Sequence, residues 1–218
     1  MTAATPSPGL DPAQWDARYR DGQDGWELGQ AAPPLQAFLQ EHPLAPRADG
    51  PAPVLVPGCG RGHEAALLAA RGFAVVGLDF SAEALAEAQR LHGEGDRAGG
   101  GRLRWLQADL LDGAALATAG LAAGSLQGVV EHTCFCAIPP GQRQAYAATV
   151  QQLLLPGGWL LGLFWCHQRP GGPPFGSTPE EIADLWQGQG LEALLWQPAE
   201  GSVSSREREW IGLWRRNR

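Results

Sequence analysis

The chain has 218 residues, a formal net charge of −7 and an apolar fraction of 44%. Such a length suits one α/β domain with a full core, and the acidic balance argues against a nucleic-acid partner, whose grip rests on neutralising phosphates. No apolar run approaches the roughly 20 residues of a bilayer span, and residues 1–16 have neither the basic start nor the apolar centre of a secretory signal, so a cytoplasmic protein without membrane contact is expected.

Residues 1–10, rich in Pro and small polar residues, read as a loose tail, and 11–218 as a single domain. A short helix is predicted over 12–20, with Asp11 as its N-cap and Pro12 in the first turn. A Gly/Asp/Pro-rich loop follows, then a short helix over 35–42 and a linker to residue 53. From there strands and helices alternate: strand 53–57, helix 62–72, strand 73–79 and helix 81–93, whose cap (Asp79 or Ser81) stays open. Strands are predicted at 102–109 and 126–132, a helix at 140–158 ending on Pro-Gly-Gly, and a strand at 159–166. A helix over 178–190 starts at Thr178 with Glu181 three places on, and two final strands, 191–197 and 206–216, have no helix between them. This alternation predicts a mostly parallel sheet with helices on both faces, closed at one edge by an antiparallel hairpin.

The first strand breaks into Gly58-Cys59-Gly60-Arg61-Gly62-His63. A dinucleotide loop would carry glycine at position 63, and a Walker loop would end in Gly-Lys-Ser/Thr; neither is present. Gly58 and Gly60 still let a ligand lie against bare backbone, without requiring a phosphate. The next strand ends in Asp79, placed to accept both hydroxyls of a ribose, and the third in Asp109, placed to meet an adenine amine. S-adenosylmethionine needs these parts and has no phosphate. The bland alternative is a plain strand-to-helix turn with a capping acid.

Trp15, Tyr19 and Trp26 at W-x3-Y-x6-W, "VLVPGCGRGHE", "GLDFSAEAL", "ADLLD", "EHTCFCAIPPGQRQAY" and "GGPPF" together resemble the thiopurine S-methyltransferase superfamily, nearest its thiol and halide methyltransferase branch. The resemblance implies a seven-stranded Rossmann-like class I methyltransferase fold with an N-terminal helical cap. It implies that Trp15, Tyr19 and Trp26 wrap the S-adenosylmethionine, whose sulfonium suits aromatic faces. Gly58 and Gly60 would back its methionine part, Asp79 the ribose, and Asp109 and Leu110 the adenine. Glu131 would sit beneath the methionine end, where the family commonly has Asp; the change keeps the charge and lengthens the reach. On the acceptor side, Arg143 is expected to attract an anion or lower a thiol's pKa, Tyr146 to hydrogen-bond acceptor or cofactor, and Phe175 to close the pocket as a lid.

The reaction expected is methyl transfer to a small soft nucleophile: a thiol, sulfide, halide or related chalcogen or metalloid species. The partners are thus a small-molecule acceptor and the cofactor, with the protein a monomer. Competing readings are a methyltransferase for another small molecule, one for amines or nucleobases, and a cofactor-binding module without catalysis. A soft-metal site at Cys134, Cys136, Cys166, His132 and His167 lacks ligand spacing, so no metal is expected; these thiols and Cys59 read as reduced and inert.

Overall fold

The computed structural model describes residues 10–47 and 52–218. The expected tail therefore lies outside the described residues except for Leu10, as does the middle of the 43–53 linker.

Two helices precede the sheet, α1 (Pro12–Arg20) and α2 (Pro33–Glu41). Asp11 caps α1 through a reciprocal pair with Gln14. The alternating region is β1 (Val54–Pro57), α3 (His63–Ala70), β2 (Ala74–Asp79), α4 (Ala82–His92), β3 (Gly95–Asp96), β4 (Arg102–Gln107), α5 (Gly113–Thr118) and β5 (Leu126–His132). It continues through α6 (Arg143–Leu153), β6 (Leu154–Trp165), α7 (Pro179–Gly188), β7 (Leu191–Pro198) and β8 (Glu209–Arg216). Ser81 caps α4 and leaves Asp79 free of that duty; Thr178 and Glu181 form the capping box of α7.

The sheet order is β3-β4-β2-β1-β5-β6-β8-β7. β4, β2, β1, β5 and β6 are parallel, while β8 runs antiparallel to both β6 and β7. The C-terminal hairpin thus ends the sheet as expected, with its second strand inserted inside its first. The sheet has eight strands against the seven expected. The extra one is the two-residue β3, which folds back antiparallel on β4 between the predicted helix 81–93 and strand 102–109.

Two more boundaries differ. The helix expected to reach residue 158 stops at Leu153, and β6 begins at Leu154, pairing with Leu126 before a register shift that takes up Pro-Gly-Gly. α5, unforeseen, starts where Asp112 accepts from the Ala114 and Ala115 amides.

Alternation along the buried strands serves two cores. Leu55, Val76, Val129, Leu160 and Phe164 face α5, α6 and α7; Val54, Val56, Val75, Val130 and Leu161 face α2, α3 and α4. Trp186 and Trp214 are fully buried in the first core. The C-terminal ends of β1, β2, β4 and β5 open onto one side, where α1 and the loop before α2 cover them.

Candidate active site

A cavity of about 640 Å³ lies between those strand ends and the N-terminal segment. That volume falls in the ordinary range for small-molecule sites. The cap supplies its aromatic wall. Trp26 meets Trp15 edge-on at 5.1 Å between centroids and Tyr19 at 5.6 Å. Tyr19 is buried, and Arg18 lies 5.5 Å from the Trp15 ring and 6.0 Å from Trp26.

The glycine loop forms the floor. Gly58, Gly60 and Gly62 all have positive φ, a shape that glycine adopts without strain. A Cβ on Gly60 would stand 2.9 Å from the Tyr19 hydroxyl, so loop and cap meet there with no room for a side chain. Asp79 accepts from the Gly60 amide (3.0 Å) and the Ser81 amide (2.9 Å). A carboxylate offers about four acceptor sites, so part of its capacity remains for a ligand hydroxyl. Burial pushes the Asp79 carboxyl up to about 6, against the lowering pull of those amides. Asp109 is exposed at the rim, its Oδ1 taking the Leu111 amide at 2.9 Å, and Leu110 beside it is buried.

Every cofactor residue expected from sequence therefore lines this cavity except Glu131. Glu131 is fully buried behind the wall: one oxygen accepts from the Phe135 amide (2.8 Å), the other from the Tyr146 hydroxyl. Burial raises its carboxyl pKa. The three residues expected on the acceptor side do not reach the cavity either. Tyr146 is fully buried with its hydroxyl spent on Glu131. Arg143 donates to the Gly176 carbonyl (3.0 Å) and the Phe175 carbonyl (3.1 Å), with its guanidinium 4.5 Å from the Phe135 ring centroid. Phe175 is buried, its amide donating to Cys136 at 2.6 Å. Sequence spacing put these side chains near the site but could not say which way they turn.

Other residues took their places. Thr133, a non-glycine residue at φ 65, lines the cavity with Cys134, Ile138 and Pro139. Such strain gathers at working sites. Arg61 bridges Asp24 (2.5 Å), Glu27 (3.2 Å) and Glu87, tying the cap loop to the glycine loop. His63 joins Glu27 at 2.9 Å. Burial would raise the Glu27 carboxyl, but bonds from His63 and the Gly29 amide bring it down to about 2; the same Glu27 contact raises His63.

A second polar string runs below the cap. His132 Nδ1 lies 2.9 Å from Glu64 Oε1, which also accepts the Ala32 amide at 3.0 Å. Burial works against the Glu64 charge, but the His132 and Ala32 contacts prevail and hold its pKa below the ordinary value. On the far side Arg206 Nη1 lies 2.7 Å from His132 Nε2, and Nη2 donates to the Trp26 carbonyl. His132 and Glu64 stand out in sequence only as polar residues at a strand end and a helix start. Arg206 gives no sequence signal at all, being 180 positions from Trp26.

All four cysteines are free. Burial pushes the Cys59 and Cys134 thiols well above the usual range and Cys136 to about 12. Cys59 Sγ packs 3.1 Å from where a Gly77 Cβ would stand, as a filler behind the turn. Among the described residues, no group of three or more His, Cys, Asp or Glu is arranged to hold a metal ion.

A family model described as Thiopurine S-methyltransferase matches residues 10–211. "Thiocyanate methyltransferase 1" of Brassica oleracea is 28% identical over 210 residues, covering 93% of this chain and 84% of that protein. "Probable thiol methyltransferase 2" of Arabidopsis thaliana is 30% identical over 205 residues, with the same two coverages. Among solved structures, the Burkholderia thailandensis 1,6-didemethyltoxoflavin-N1-methyltransferase, with bound 1,6-didemethyltoxoflavin and S-adenosylhomocysteine, superposes with a TM-score of 0.68 at 21% identity. It covers 98% of this chain and 94% of its own, a likeness of fold.

Proposed function

The chain belongs to the thiopurine S-methyltransferase family, and on that premise we propose that it moves the methyl group of S-adenosylmethionine to a small thiol-type acceptor in the cavity under its cap. The cofactor supplies an electrophilic methyl on a sulfonium, so the protein's task is in-line alignment and exclusion of water.

The observation that carries the reading is the cavity's composition: an aromatic wall, a bare glycine floor and a buried acid with lone pairs to spare. Trp15, Tyr19 and Trp26 offer ring faces that attract a sulfonium. Gly58 and Gly60 let the methionine part lie on backbone. Asp79 takes the ribose hydroxyls, and Asp109 and Leu110 border the adenine. Glu131 acts from behind the wall, fixing the Phe135 amide and with it the turn that carries Cys134. Arg143, Tyr146 and Phe175 support the same wall from outside.

The lining also bears on the acceptor. Burial pushes the Tyr19 hydroxyl and the Cys59 and Cys134 thiols upward, so none is an anion at neutral pH. His63 and His132 are already paired with carboxylates. An acceptor that arrives nucleophilic suits such a site: a thiol, partly thiolate near its pKa of about 8.5, or a soft anion that needs no base. The thiol and thiocyanate named for the two relatives belong to this class.

The test is an acceptor panel of alkyl and aryl thiols, sulfide, iodide, thiocyanate and primary amines, with products identified by mass spectrometry. Methylated sulfur or halide products are expected. Turnover of amines alone would overturn the acceptor class.

A further inference from the structure

We propose that Arg206 is a positioning residue that clips the cap shut over the cavity, through the Trp26 carbonyl on one side and the His132–Glu64 pair on the other. The identity of the enclosed ligand rests on the methyltransferase reading above; the clip itself does not.

Arg206 ends a short 3-10 turn, Ser204–Arg206, in the loop between β7 and β8, and is only 4% exposed. A buried guanidinium must find partners. Its fork reaches two: the Trp26 carbonyl and His132 Nε2. Guanidinium only donates, so Nε2 must offer a lone pair and the ring proton must sit on Nδ1, facing Glu64. A carboxylate–histidine pair of this kind commonly serves as a base. Here both ring nitrogens are occupied, which leaves the pair as a strut.

Both ends of the strut land on one segment of the cap. Arg206 holds it at Trp26 and Glu64 holds it at Ala32. Between those points Leu28 and Gln30 line the cavity, as Trp26 does itself. Entry and exit of a ligand beneath Trp26 therefore require this segment to lift, and Arg206 opposes the lifting. Lid opening of this kind sets release rates. Lysine cannot replace the fork, because one ammonium does not present two fixed donors to two partners.

The experiment compares wild type, R206M and R206K by amide hydrogen exchange of the free protein, by binding of S-adenosylhomocysteine, and by steady-state kinetics. In R206M, residues 26–32 should lose protection while β5 and β8 keep theirs. The ligand Kd should rise about tenfold, mostly through faster release, as expected on losing hydrogen bonds from a charged donor. The KM for S-adenosylmethionine should rise in step, with kcat within about twofold. R206K, which keeps the buried charge, should fall between the two. Unchanged exchange at 26–32 in R206M, loosening that spreads through β5 and β8, or R206K indistinguishable from wild type would overturn the clip. Failure of wild type to bind S-adenosylhomocysteine would overturn only the reading of the cavity, because exchange in the free protein reports the clip without a ligand.

Discussion

Asp79 carries the clearest consequence at the scale of one residue. Burial raises its carboxyl to about 6, above the ordinary 3.8, so the folded protein binds this proton more tightly than the unfolded chain. That favours folding below pH 3.8 and is lost as pH rises through 6; at neutral pH the buried charge costs stability. A ribose needs the ionised form as acceptor. Affinity for S-adenosylhomocysteine should therefore fall about tenfold between pH 7 and pH 5, and calorimetry would show it. D79N should bind about tenfold more weakly at pH 7 and show little of that pH dependence. That Asp79 and Asp109 line the cavity was legible in the sequence, because both stand at the carboxyl ends of strands, where such a sheet opens its crevice. Arg143, Tyr146 and Phe175 lie close by in sequence and fold, yet carbonyls and Glu131 claim their polar atoms. Side-chain direction depends on partners far along the chain, which spacing does not record.

Among the elements, the turn from β1 into α3 combines a backbone demand with a packing demand. Gly62 has φ +76, and a Cβ there would stand 2.3 Å from the Trp105 ring. G62A should destabilise the fold by roughly 2–4 kcal/mol, read from denaturant unfolding, because a packed indole cannot move aside cheaply. The loop from Arg61 to His63 also anchors the cap. R61A releases Asp24, Glu27 and Glu87 together and should weaken cofactor binding about tenfold, with a smaller effect on unfolding. The Glu27–His63 pair has its own pH window. Glu27, lowered to about 2, contributes above its unfolded value of 4.5; His63, raised above 6.5, contributes until pH climbs through its folded value. Above that point the cap should hold less tightly, so binding of S-adenosylhomocysteine should weaken on the alkaline side as well, and less so in H63Q. Capping residues made α1 and α7 readable from sequence, while for α4 the choice between Asp79 and Ser81 needed the structure. α5 was missed because its six residues carry too little periodicity, and β6 began early because Pro-Gly-Gly entered a bulge and ended no helix.

For the molecule as a whole, the alternation of strands and helices was enough to foresee a parallel sheet covered on both faces, and two adjacent strands without a helix foretold the antiparallel edge. The insertion of β8 between β6 and β7, and the brief β3, depend on pairings between distant segments. The same sheet places the ends of β1, β2, β4 and β5 under a cap that is tied down from two sides, by Arg61 and by Arg206. No helix among the described residues is long and apolar enough to cross a membrane. The most direct measurement is to mix the protein with S-adenosylmethionine carrying an isotopically labelled methyl and an excess of an aryl thiol, and to follow both products by mass spectrometry. Labelled methyl thioether and S-adenosylhomocysteine should appear in equal amounts over many turnovers. Tight binding of the cofactor with no S-adenosylhomocysteine formed, from this thiol or any member of the acceptor panel, would contradict methyl transfer as the function.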